Sequence, residues 1–181
     1  MDYTEIVKVI TDILKEFDSE KPVHKAFHAG IGPFGEPQIV SAIAQRLSAR
    51  GIPAQTRRTP DLELQQEWAV EFKIVRPFGD NGREAENWSV NMLHPYAGNV
   101  SLIGDAIKLS NIDHYRHKGL FVIGFEHSPA KISLDPLINS FELIARQVMN
   151  IALSERIQEK RDGLVHPEHQ VLRCIGWQLF S

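Results

Sequence analysis

Three residues close together in the chain have the types and spacing for phosphate chemistry: Asp61, Glu71 and Lys73. Pro60-Asp61 opens a short run, Leu62-Glu63-Leu64. After a polar turn, Gln65-Gln66-Glu67, comes a second run, Trp68-Ala69-Val70-Glu71-Phe72-Lys73-Ile74-Val75. Both read as strands. Side chains alternate along a strand, so Glu71 and Lys73 face one way while Val70, Phe72 and Ile74 face the other. Carboxylates hold a hard divalent ion, which prefers oxygen ligands and keeps several of its waters. An ammonium on the same face balances phosphate charge or orients an attacking water. Two acids and a lysine beside a hairpin therefore suggest a site for a divalent metal and a phosphate.

The flanking elements follow from periodicity. Residues 3–17 place Ile6, Ile10, Ile13, Leu14 and Phe17 at helical spacing, an amphipathic helix. Glu36-Pro37 begins a second helix, since proline suits the first turn and an acid favours the positive helix end. Its stripe is Ile39, Val40, Ile43, Ala44 and Leu47, and Gly51 with Pro53 stops it. A strand is expected over 52–58, before the two that carry the acids. Residues 76–97 read as irregular. A short helix is expected over about 99–110, an all-apolar strand over 119–125, a helix over 136–158, and a terminal hairpin over 163–180.

A helix, three strands, a helix and a strand, with Pro60-Asp61 opening the second strand and Glu71-Phe72-Lys73 on the third, resembles the PD-(D/E)xK nuclease superfamily. No other Pro-Asp pair and no other acid-x-Lys occurs in the chain. The resemblance covers about residues 36–126 and implies a restriction endonuclease-like α/β core, a mixed sheet flanked by helices. The 3–17 helix, the 136–158 helix and the 163–180 tail would be decorations on a single domain, 1–181. It also implies Asp61 and Glu71 as ligands of Mg²⁺, with Mn²⁺ as a substitute, and Lys73 at the attacking water. The Phe72 carbonyl would be a further ligand and Glu36 a supporting acid. The expected activity is hydrolysis of phosphodiester bonds in nucleic acid, DNA first, by a homodimer if both strands of a duplex are cut. The alternative is a nuclease-fold module that binds nucleic acid or protein without turnover.

Net charge is −3, so contact with nucleic acid must rest on a local basic face. Arg57 and Arg58 beside the first strand, with Arg76 and Arg83 flanking the irregular stretch, are the candidates. Glu63 shares the face of Asp61 and is expected to be exposed. Gly30 to Gly35 spells GxGxxG, but a polar, histidine-bearing stretch precedes it where a dinucleotide site needs a hydrophobic strand; it reads as a lead-in to the helix. His24 and His28 make a conceivable metal pair without a third ligand. The single Cys174 excludes an internal disulfide and fits a reducing cytosol, and no apolar run has the length of a membrane span.

Overall fold

The computed structural model describes residues 1–96 and 101–180. Helix α1 (Tyr3–Ser19) starts with a reciprocal cap: the Glu5 N–H donates to the Asp2 carboxylate, and the Asp2 N–H donates to Glu5. Ile6, Ile10, Ile13 and Leu14 are fully buried on its inner face. Helix α2 (Glu36–Ala49) buries its expected stripe, Ile39 to Leu47. Then follow strands β1 (Ala54–Thr56), β2 (Leu62–Leu64) and β3 (Trp68–Val75), helices α3 (Val90–Leu93) and α4 (Leu102–Ser110), and strand β4 (His117–Glu126). Helix α5 (Asp135–Leu143) runs into a π-helical turn, Ile144–Val148, before β5 (Ala152–Leu153), β6 (Ile157–Asp162) and β7 (Val171–Phe180).

The seven strands form one mixed sheet in the order β1-β2-β3-β4-β7, with β5 and β6 both on the far side of β7. β3 and β4 run parallel, and every other pair is antiparallel. On one face α1 and α2 cover Phe72, Phe121 and Ile123. On the other, α4 and α5 cover Leu120, Val122 and Trp177. Helix α1 lies close because Gly119 and Gly176 leave room. A Cβ at Gly119 would stand 2.4 Å from the Tyr3 ring, whose hydroxyl donates to the Leu120 carbonyl at 2.6 Å.

The expected order from α2 to β4 is present. Of the helix expected over 99–110, residues 99 and 100 lie outside the described residues, as does 97 of the irregular stretch. That stretch is more ordered than expected: Phe78 bridges Glu84, and α3 follows. Three expectations need correction. The helix expected over 136–158 ends at Leu143 with its π turn, and 157–162 is a strand instead. Asn150, at φ +53°, is left-handed and stops the helical path. The hairpin partner of the terminal strand is therefore β6, not Leu164-Val165. Nor is the tail a decoration: β7 lies inside the sheet, hydrogen-bonded to β4 along 171–179 and almost wholly buried.

Candidate functional site

The site forms where β3 outruns its neighbour. β2 pairs with β3 only as far as Leu62↔Val70, whereas β3 continues to Val75. The N–H groups of Phe72 and Ile74 leave that free edge and need acceptors inside the protein. Two acids supply them. Asp61, just before β2, accepts from Phe72 N at 2.8 Å, and Glu36, in the first turn of α2, accepts from Ile74 N at 3.1 Å. The edge itself thus draws Asp61 and Glu36 toward β3.

Glu71 and Lys73 point to the opposite face from Phe72, toward α4, and both are more than nine-tenths buried. A carboxylate from α4 meets them. Lys73 Nζ stands 3.0 Å from Asp105 Oδ2 and 3.6 Å from Glu36 Oε1. The other oxygen of Asp105 accepts from Lys108 Nζ at 2.8 Å. The cluster is thus four carboxyls, Glu36, Asp61, Glu71 and Asp105, around two ammonium groups. Two hollows flank Glu36. One of about 340 Å³ is lined by Asp61, Arg57 and Arg58, and one of about 270 Å³ by Lys73, Arg76 and Asn91.

Charge in this cluster is unevenly compensated. The Glu71 carboxyl is pushed up to about 9, first by burial, then by the charge of Asp61 and a hydrogen bond between the two carboxyls. The buried Glu71 carboxyl therefore favours its protonated form beside the half-buried Asp61. Glu36 is also raised, by burial first, although Lys73 pulls it the other way. Burial pulls Lys73 down, yet Glu36 and Asp105 outweigh that and hold it above the ordinary lysine range. Lys73 is an ammonium here, a charge and a donor. It is not a free base at neutral pH.

The donor set fits a hard divalent cation. It is all carboxylate oxygen, and the Asp61–Glu71 pair lacks positive charge that a cation would supply in place of the proton. The Phe72 carbonyl leaves the strand on the same side as its N–H, beside Asp61.

The expected site residues divide. Asp61, Glu71, Lys73 and Glu36 come together, and Arg57 and Arg58 stand exposed at the rim. Arg76 does not belong to a phosphate track. Its guanidinium is largely buried and donates to the carbonyls of Gly32 and, at 2.9 Å, of Phe34, so it fastens the glycine loop that leads into Glu36. Arg83 is exposed in a turn whose Gly82 packs beside Glu168, part of a different cluster. Glu63 is not exposed: Tyr115 donates to it at 2.6 Å, Gln55 at 2.7 Å and Arg57 at 3.1 Å, so its charge is already satisfied. The residue missed was Asp105. Its signal was an acid within the buried stripe Leu102, Ile103, Ala106 and Leu109 of α4, where a charge must have a buried partner.

His24 and His28 part company. His24 packs on the rings of Phe27 and Phe34. His28 joins Asp80 and His166, and the ligand atoms of these three lie within 4.8 Å of one another. The hydrogen bonds there make a clasp. Asp80 Oδ1 faces His28 N at 2.8 Å, His28 Nδ1 at 3.1 Å and His166 Nε2 at 2.9 Å. The Glu168 N–H donates to His166 Nδ1 at 3.1 Å, so the His166 proton sits on Nε2, the nitrogen a metal would need bare. Burial works against the Asp80 charge, but the bonds from His166 and His28 prevail and lower it to about 2. The clasp ties three loops together, among them the one Arg76 fastens. The strand that a dinucleotide loop requires before Gly30 is absent from the described residues 20–29.

Compared with protein-family models, with curated proteins and with solved structures, the chain matches nothing. No helix among the described residues is long and apolar enough to cross a membrane.

Proposed function

We propose that the chain is a Mg²⁺-dependent hydrolase of phosphodiester bonds in nucleic acid, DNA in the first instance, with a restriction endonuclease-like core and Mn²⁺ as an alternative ion. One observation carries the reading: the buried carboxyl of Glu71 and the half-buried carboxyl of Asp61 stand together where the short strand pair ends, and the ammonium of Lys73 lies two positions along the same strand face. Asp61 and Glu71 would hold the ion, with the Phe72 carbonyl as a further ligand. When bound, a divalent cation neutralises charge at the scissile phosphate and makes water more acidic. Lys73, kept charged by Glu36 and Asp105, donates to the phosphate or to the attacking water and balances charge that grows in the transition state. Glu36 fixes the free edge of β3 and so the spacing of Glu71 and Lys73. Arg57 and Arg58 at the rim contact backbone phosphates on either side of the cut. A duplex cut through both strands calls for two such sites, and hence for two copies of the chain.

The test is release of acid-soluble fragments from single-stranded DNA, duplex DNA and RNA, with Mg²⁺ or Mn²⁺ against chelator. Metal-dependent release by the wild type, lowered about 10²- to 10³-fold in Lys73→Ala, is expected, the usual effect of removing one transition-state charge stabiliser. An inert wild type on all three substrates contradicts the reading. A second reading has its own observation: Asp61 and Glu36 already serve as acceptors for the edge of β3. A module that keeps these acids for that purpose alone would bind nucleic acid or protein and cut nothing. Binding that is indifferent to divalent ions, without fragment release, would favour it.

A further inference from the structure

Lys73 lies two positions from Glu71 on the same face of β3, within reach of the carboxyl pair that the proposed function assigns to metal. A flexible four-carbon stem lets a lysine ammonium fold back onto any nearby acid. Yet among the described residues Lys73 has no ion pair with Asp61 or Glu71; its partners are Asp105 and Glu36. Asp105 is the closer, and it is fixed from several sides. Leu102, Ile103, Ala106 and Leu109 bury α4 against the sheet. Ser101 caps that helix, accepting from Gly104 N at 3.0 Å and donating to the His94 carbonyl at 2.7 Å. Lys108 holds one oxygen of Asp105, and among the described residues no hydrogen-bond donor is aligned on the other, which faces the ammonium of Lys73 at 3.0 Å.

We propose that Asp105 is a positioning residue that draws the Lys73 ammonium off the Asp61–Glu71 pair and so keeps the pair open to a divalent cation. The inference rests on the metal reading of that pair. Without Asp105, Lys73 keeps only Glu36 at 3.6 Å, and the carboxyls of Asp61 and Glu71 become its competing partners. An ammonium seated there occupies the cation's place.

Asp105→Asn keeps the shape of the side chain and removes its charge. Binding of Mn²⁺ to the full chain, read from the paramagnetic resonance signal of free Mn²⁺, is compared in wild type, Asp105→Asn, Lys73→Ala and the double variant, with far-ultraviolet circular dichroism to check folding. Asp105→Asn is expected to bind Mn²⁺ about tenfold more weakly, the size of one charged hydrogen bond redirected. In the Lys73→Ala background the same substitution should change affinity less than about twofold. Asp105→Glu should return affinity to within about threefold of wild type, and it carries the test if the Asn variant does not fold. Equal losses in both backgrounds would mean that only a nearby negative charge was removed, and would overturn the inference. So would a folded Asp105→Asn that binds like wild type. A wild type that binds no Mn²⁺ overturns the metal reading itself, and the inference with it.

Discussion

Two regions of this molecule gather acids and bases, and they settle their charges in opposite ways. At the clasp, one oxygen of Asp80 faces three nitrogens from His28 and His166, and each ring nitrogen of His166 has a partner of the right kind. At the edge of β3, Glu71 is pushed toward its protonated form beside Asp61, and the Lys73 ammonium on the same strand face is turned toward Asp105 and Glu36. Satisfied groups hold loops in place, whereas a charge conflict left standing in a fold marks a place built for something the chain itself does not supply. On that contrast rests the proposal that the histidines are structural and the carboxylates functional, although histidines at such spacing are the more usual sign of a metal.

The two regions should differ most at Glu71. Glu71→Ala or Asp61→Ala should lower metal-dependent hydrolysis by about 10³-fold or more, as loss of a metal ligand does, while Asp80→Ala should leave kcat of the folded protein within about threefold of wild type. Kinetics on one DNA substrate at saturating Mg²⁺ reads both. If Asp80→Ala lowers kcat as much as Glu71→Ala, the assignment of roles is wrong.

Stability should respond the other way round. Asp80→Ala leaves the buried Nε2–H of His166 without an acceptor and should cost about 1–3 kcal/mol in urea unfolding. Glu71→Gln relieves the carboxyl conflict, so the metal-free protein should gain at least about 1 kcal/mol at pH 8. A destabilised Glu71→Gln at that pH would show that no conflict existed.

The two regions should also carry opposite pH signatures. Glu71 is raised from its usual 4.5 to about 9, so folding favours its protonated form. Its contribution to stability is complete below the lower value and is lost as pH rises toward the higher. His169, stacked on His166, is lowered from 6.5 to about 4, chiefly by burial. Folding favours its neutral form, so its contribution is complete above 6.5 and is lost as pH falls through 4. Thermal unfolding in chelator across this range should show both slopes. Glu71→Gln should flatten the alkaline one and His169→Gln the acid one, and a slope that survives its own substitution would refute that assignment.

The smallest contrast is between two arginines. Arg76→Ala should cost about 1–3 kcal/mol, since the Gly32 and Phe34 carbonyls lose their donor. Arg83→Ala, exposed and without a side-chain partner among the described residues, should stay within about 0.5 kcal/mol. Chemical denaturation distinguishes them, and equal effects would undo the reassignment of Arg76.

The cluster at the edge of β3 was legible in the sequence because its logic is local. Strand alternation set Glu71 and Lys73 on one face, and the Glu36-Pro37 helix start was visible in composition. Three other features depended on distance. Asp105 reaches Lys73 only because α4 packs on β3. The clasp joins residues 28, 80 and 166, which no spacing rule connects. Residues 157–162, Ile-Gln-Glu-Lys-Arg-Asp, are mostly good helix formers, and they become a strand because the outer edge of β7 needs a partner. Their charged side chains then suit a sheet edge, and Arg161 pairs with Asp12 of α1 and with Glu159.

The most direct measurement is anomalous X-ray scattering from crystals of the wild-type protein soaked in Mn²⁺, which locates the ion independently of any activity. A peak is expected between the carboxyls of Asp61 and Glu71 and none at His28, Asp80 and His166. A peak at the histidines, or none at the carboxyl pair, would contradict the proposed metal site.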